Sequence, residues 1–197
     1  MTAQHPQAAQ RDDPRPGSRR FDAVIIALHW TTAALILGMF ASAWSIGLAA
    51  NDDRARLLLT VHRSLGVMVW IVTVCRLGWR LAFAVLPPFP PAMPKLQQTL
   101  AKLSEYGLYA LLLVQPLTGL AQSLARGRAF PLFGGEVPTV MARDKGLTAA
   151  FHQIHAVSAW LLLGLISLHV LAALFHSFVL RDDVLQSMAP LRSRRLS

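Results

Sequence analysis

Residues 151–180, FHQIHAVSAWLLLGLISLHVLAALFHSFVL, form an apolar run long enough to cross a bilayer as one helix, yet the run carries four histidines. Ionisable side chains are seldom placed in lipid without a partner or a task. Fourteen residues separate His155 from His169. At ~100° and ~1.5 Å per residue, the two imidazoles share one face within roughly 40° and lie about 21 Å apart along the axis. Such a helix offers a ligand near each surface of a membrane, so the other helices must supply what stands opposite.

Three further blocks, residues 23–49, 61–86 and 105–125, are also long and apolar enough to span. With 54% of the 197 residues hydrophobic and only 15% charged, the chain reads as all-α: an integral membrane four-helix bundle. The bundle is expected over residues 21–185. Residues 1–20, rich in Pro, Gln and Arg, read as a disordered cytoplasmic arm, and residues 186–197 as a basic cytoplasmic tail. A signal peptide is the rival for the first block, since Arg19 and Arg20 precede it and Ala41-Ser42-Ala43 resembles a cleavage site. The block is too long for that role and holds His29, which favours a retained helix.

Asn51-Asp52-Asp53-Arg54 reads as a solvated turn, after which helix 2 starts near Val61 and stops at Pro87, Pro88, Pro90, Pro91 and Pro94. Helix 3 holds Pro116, tolerable in a membrane helix because neighbours satisfy the freed carbonyl. Residues 126–147 are the one long loop, placed over the end of the bundle. Cys75, the single cysteine, excludes an internal disulfide or a thiolate metal cage and is expected to be a small buried side chain.

The net charge of +9 would suggest nucleic acid in a soluble protein, but here the basic residues flank apolar blocks. No nucleic-acid partner is therefore expected; the surroundings are membrane lipid. Twelve Lys and Arg fall on the side of the arm, the 2–3 connection and the tail, against seven on the other. Both termini are thus expected in the cytoplasm.

Given alternating helices, His29 on helix 1 meets His169 near the inner surface, and His62 at the opening of helix 2 meets His155 near the outer surface. Facing imidazoles with no cysteine or carboxylate nearby suit an iron porphyrin held on both axial faces, whereas zinc or copper would need more ligands at short range. Two such pairs imply two haems and one-electron transfer across the bilayer. Each histidine taken alone is equally well a hydrogen-bonded packing residue; it is the matched set that argues for a cofactor. His152 and His176 read as interfacial, and either could replace a neighbour as ligand. Arg63, Arg76 and Arg80 each have two readings: topological anchors whose heads reach the surface, or partners of haem propionates.

LHWTTAALI (residues 28–36), VHRSLGVMVW with the following CRLGWR (61–80) and HAVSAWLLLGLISLH (155–169) resemble the three histidine segments of bacterial cytochrome b561, a small four-helix dihaem membrane protein. The resemblance extends over nearly all of the chain after the arm, to the tail RDDVLQSMAP. It implies two haem b groups on His29, His62, His155 and His169, a place in the bacterial inner membrane, and oxidation of superoxide on the periplasmic side with ubiquinone as acceptor. Two rival functions stand beside this one. The first is a membrane anchor taking electrons from a periplasmic dehydrogenase or hydrogenase docked at residues 126–147; the second is a haem or metal transporter or sensor in which the histidines bind transiently.

Overall fold

The computed structural model describes residues 21–89, 93–181 and 184–189. The arm (1–20), Pro90, Pro91 and the tail from residue 190 onward, with His5, Arg11, Arg15, Arg19, Arg20, Arg192, Arg194 and Arg195, lie outside the described residues. Four helices dominate: α1 (Ala23–Gly47), α2 (Asp52–Ala82), α3 (Lys95–Ala125) and α4 (Lys145–Phe175). All four are long and apolar enough to cross a membrane. A π-helical turn, His176–Leu180, extends α4, and a short α5 (Val184–Ser187) follows.

Three helices run well past the apolar blocks. At ~1.5 Å per residue, the 31 residues of α2, α3 and α4 measure about 46 Å each, more than the ~30 Å hydrocarbon core of a bilayer. The turn expected at 51–54 is instead the start of α2. Asn51 caps it by accepting from the Arg54 N–H at 3.0 Å, and Asp52 and Asp53 occupy the first turn, where negative charge complements the helix dipole. Hydropathy locates the stretch that suits lipid, whereas caps decide where a helix ends. Asp22 and Asp144 cap α1 and α4 in the same way, each accepting at 2.9 Å from the third residue on. Pro116 sits inside α3 without ending it.

The loop at 126–147 holds a β-hairpin. Strands β1 (Phe130–Leu132) and β2 (Gly135–Val137) pair antiparallel, joined by Phe133 and Gly134, both at positive φ (51° and 77°). A two-residue turn with both φ positive matches the twist of the strands, and Gly134 adopts it without strain. The Phe133 N–H donates to Ser64 Oγ at 3.0 Å, and Phe130 is buried beneath the Arg63 guanidinium, 4.9 Å from its ring centre. The hairpin therefore lies against one end of the bundle, called here the hairpin end. At the opposite, tail end, Trp30 Nε1 donates to the Met188 carbonyl at 2.8 Å and ties the segment after α5 to α1.

α1 packs along α2, α3 along α4, and α2 against α3 joins the two pairs; no comparable backbone approach links α4 to α1 or to α2. The compact core is small: Val69, Leu112 and Leu162, with Leu35, Met39, Leu108 and Ile166 around it. Most of the remaining apolar surface faces outward, as a lipid solvent requires. Cys75 is part of that outward surface rather than buried.

Candidate functional site

The helices whose backbones do not approach each other closely are the ones whose histidines meet. His29 of α1 faces His169 of α4 with ring centres 6.3 Å apart, and His62 of α2 faces His155 of α4 at 6.3 Å. The two pairs lie at opposite ends of the bundle. His62 does not open its helix at the surface: because α2 begins at Asp52, the ring stands ten residues in, and His155 stands ten residues into α4.

The spacing tests whether one iron fits between each pair. With metal–imidazole bonds of about 2.0–2.1 Å, two rings 6.3 Å apart between centres would leave room to hold one iron between them. Both pairs have this separation.

Protonation is also arranged. His62 Nδ1 lies 3.2 Å from the Met39 carbonyl and 3.2 Å from Ser42 Oγ; His155 Nδ1 lies 3.1 Å from the Gln115 carbonyl and 3.1 Å from Thr118 Oγ1. A carbonyl only accepts, so each Nδ1 carries the proton and each Nε2 keeps its lone pair, the state a metal ligand needs. The two cradles are built alike. A hydroxyl three residues after the carbonyl donates back to it at 2.8 Å in both, Ser42 to Met39 and Thr118 to Gln115. Gln115 also donates to the His155 carbonyl at 3.0 Å and accepts from Ser158 Oγ, which locks α3 to α4 beside the ring. Gly119 completes the wall: a Cβ there would stand 2.9 Å from His155 Cε1.

The tail-end pair is less satisfied. Among the described residues His29 Nδ1 is buried without a hydrogen-bond partner, as is Arg76 Nε. These orphaned groups, with the Nε2 lone pairs at the other pair, the one on His155 facing Gln115 Nε2 at 3.4 Å, make a donor set that suits a porphyrin with acidic side arms.

A match to the family described as prokaryotic cytochrome b561 covers residues 20–190. The chain belongs to this family. It is therefore a membrane haem protein of the cytochrome b561 type, for which b-type haem is the implied cofactor. "Cytochrome b561 homolog 2" of Escherichia coli (strain K12) is 31% identical over 172 residues, covering 86% of this chain and 90% of that one. "Cytochrome b561 homolog 1" of the same organism is 29% identical over 174 residues, 88% and 98% respectively. A Yersinia pestis protein named "Probable superoxide oxidase CybB" is 26% identical over 175 residues, covering 87% of this chain and 97% of that one.

The arginines separate into different roles. Arg80 is paired with Glu105 through both η nitrogens, one arm measuring 3.0 Å, and its guanidinium lies 5.9 Å from the Tyr109 ring centre. Arg76 stacks over the Tyr109 ring at 5.4 Å and lies within electrostatic reach of both His29 and His169. Arg63 donates to Ser123 Oγ at 3.2 Å beneath the hairpin. His152 accepts from Gln122 Nε2 at 3.1 Å and lines a separate cavity of about 470 Å³ at the hairpin end. Gln122, Arg126, Arg128, Arg143, Lys145 and Thr148 line it too, and among the described residues no acidic side chain does. Burial, and then the Arg128 charge, lower the pKa of Arg126 from the usual arginine range.

Ser42, Gln115, Thr118, Gly119 and Glu105 are not legible as site residues from the chain alone. Hydroxyls and amides inside apolar blocks were the only available signal, because a buried polar group in lipid must find a partner.

Proposed function

We propose that this cytochrome b561 family member holds two b-type haems, one between His29 and His169 and one between His62 and His155, and carries electrons from superoxide at the hairpin end to ubiquinone at the tail end. The equal 6.3 Å separation of the two ring pairs is the observation that carries this reading. Each haem, ligated on both faces, would supply one-electron exchange and no open iron position. Each superoxide gives up one electron and leaves as dioxygen, and each quinone takes up two electrons and two protons to become the quinol. Two superoxides are thus consumed per quinol.

The protein's own side chains bias the direction. Hydrogen bonds from Nδ1 to a carbonyl and a hydroxyl make His62 and His155 more electron-donating ligands, whereas His29 Nδ1 has no such partner. The site nearer the donor is therefore the harder of the two to reduce, and transfer towards the tail end runs downhill. A potentiometric titration should resolve two midpoints, and Thr118→Val should raise the lower one and narrow the gap. An unchanged lower midpoint would remove this account of the bias.

An anionic donor suits the cationic cavity formed by Arg126, Arg128, Arg143 and Lys145, because a concave surface of one sign concentrates the opposite charge. Screening shortens from about 30 Å at 0.01 M salt to about 8 Å at 0.15 M, so superoxide consumption should slow by about tenfold across that range. A rate indifferent to salt would eliminate steering. The hairpin end, with this cavity, is assigned to the periplasm, and both termini to the cytoplasm of the bacterial inner membrane.

One observation favours a second reading. Phe133 at the hairpin tip and Val140 beyond it are exposed, at 55% and 63%, where a donor protein could dock. Purified protein that reduces quinone with superoxide alone argues against that requirement. Tightly held, six-coordinate haem spectra would in turn exclude a transporter or sensor that binds haem only in passing.

A further inference from the structure

The cationic cavity at the hairpin end is far larger than a diatomic anion requires. Its volume of about 470 Å³ falls in the range of small-molecule sites, about 300–1,000 Å³. Arg126, Arg128, Arg143 and Lys145 line it, and no ion pair among the described residues engages any of the four. Asp144, next to two of them in the chain, does not line the cavity; it caps α4, its Oδ1 accepting from the Leu147 N–H at 2.9 Å. Four like charges gathered round one concave space repel one another until an anion joins them.

The fold holds them there. Gly127, at φ 63°, meets the chain before α4 so closely that a Cβ would collide with the Arg143 backbone nitrogen, and the Asp144 N–H donates to the Ala125 carbonyl at 3.0 Å. Only glycine offers both the left-handed backbone and the missing side chain. The segment with Arg126 and Arg128 is thereby fastened to the segment with Arg143 and Lys145. In the assigned topology the cluster also stands on the exported side, where Lys and Arg near the ends of spans oppose the orientation rather than set it. Basic residues retained against that tendency need a task of their own.

Position indicates which anion they meet. Arg126 caps the C-terminus of α3 and Lys145 begins α4, helices of 31 residues each. At ~1.5 Å per residue such helices reach the headgroup layers of a bilayer ~40–45 Å thick overall. The anion of those layers is phosphate, whose oxygens accept the paired N–H groups of a guanidinium.

We propose that this cavity binds a phosphate group, from the headgroup of an anionic phospholipid or from solution, and that bound phosphate keeps superoxide out. Binding stands on the cavity itself, whereas the exclusion rests on the proposal that superoxide is the donor and enters here.

Haem-loaded protein in maltoside micelles, which contain no phosphate, tests both parts. Calorimetric titration with inorganic phosphate at constant ionic strength should give saturable binding to one site, and Arg126→Gln with Arg143→Gln should weaken it by about tenfold for each arginine removed. Arg54→Gln with Arg56→Gln removes the same charge from the same end outside the cavity and should leave binding as in wild type. Phosphatidylglycerol added to the micelles separates the sources: a headgroup in the cavity abolishes the phosphate signal, whereas a site for free phosphate keeps it. In stopped flow, the occupant so identified should slow haem reduction by superoxide about tenfold in wild type, and should have no effect on Arg126→Gln with Arg143→Gln. Absence of phosphate binding by wild type, or equal weakening in the two double variants, overturns the site. Binding that leaves the wild-type rate unchanged overturns the exclusion alone, and protein that superoxide does not reduce even without phosphate overturns the donor reading beneath it.

Discussion

Alanine at His29 or at His169 is expected to cost the purified protein the same single haem, lowering the content from two per chain to one. Alanine at His62 or at His155 should remove the other. Combination makes the pairing explicit. His29→Ala with His169→Ala should lose no more haem than either alone, because both act on one iron, whereas His29→Ala with His62→Ala should leave the protein colourless. The basis is the geometry of the two ring pairs, each 6.3 Å between centres and each set between helices whose backbones do not approach closely. Pyridine-haemochrome quantification measures the loss directly. Should His29→Ala with His169→Ala lose both haems while still inserting in the membrane, or should any single variant keep both, the assignment of pairs is wrong.

A methyl group at Gly119 is expected to be nearly as damaging to one site, although it removes no ligand. The added Cβ would stand 2.9 Å from His155 Cε1, closer than carbon atoms tolerate, and 3.2 Å from Nδ1. The ring has little freedom to yield, because its Nδ1 is held by the Gln115 carbonyl and Thr118. Gly119→Ala should therefore lower haem retention at the hairpin end by about 10–100-fold in affinity, the scale seen when a metal ligand's orientation is disturbed. Gly78→Ala is the matching control. Nothing lies within 4 Å of its added Cβ, and alanine in a helix interior is favoured over glycine by about 0.5–1 kcal/mol. That variant should keep both haems. Equal spectra for Gly119→Ala and wild type would show that the ring can shift without consequence.

Much of the membrane architecture was readable before any coordinates. The length of an apolar block is dictated by the thickness of the bilayer, so four blocks became four helices, and the histidines at 29, 62, 155 and 169 were singled out because lipid makes each of them conspicuous. Pairing followed from alternating direction and from a 3.6-residue repeat. The ends of the helices were not readable in the same way. α2 begins at Asp52 and α4 at Lys145, in charged sequence, because capping and helix dipoles operate in water as well as in lipid. The hairpin at 130–137 escaped notice although Gly134-Gly135 is a turn signal, since its strands are only three residues long.

Side-chain partnerships between helices depended wholly on the fold. Arg76 and Arg80 are four residues apart and looked equivalent in the chain; Glu105, on another helix, engages only Arg80. Likewise, nothing local marks Ser42 or Thr118 as a companion of histidine, because each reaches its ring across a helix interface. Periodicity and solvent preference act along the chain and can be read from it. Which donor meets which acceptor is determined by how helices rotate and slide against one another, a property of packing that no single segment contains.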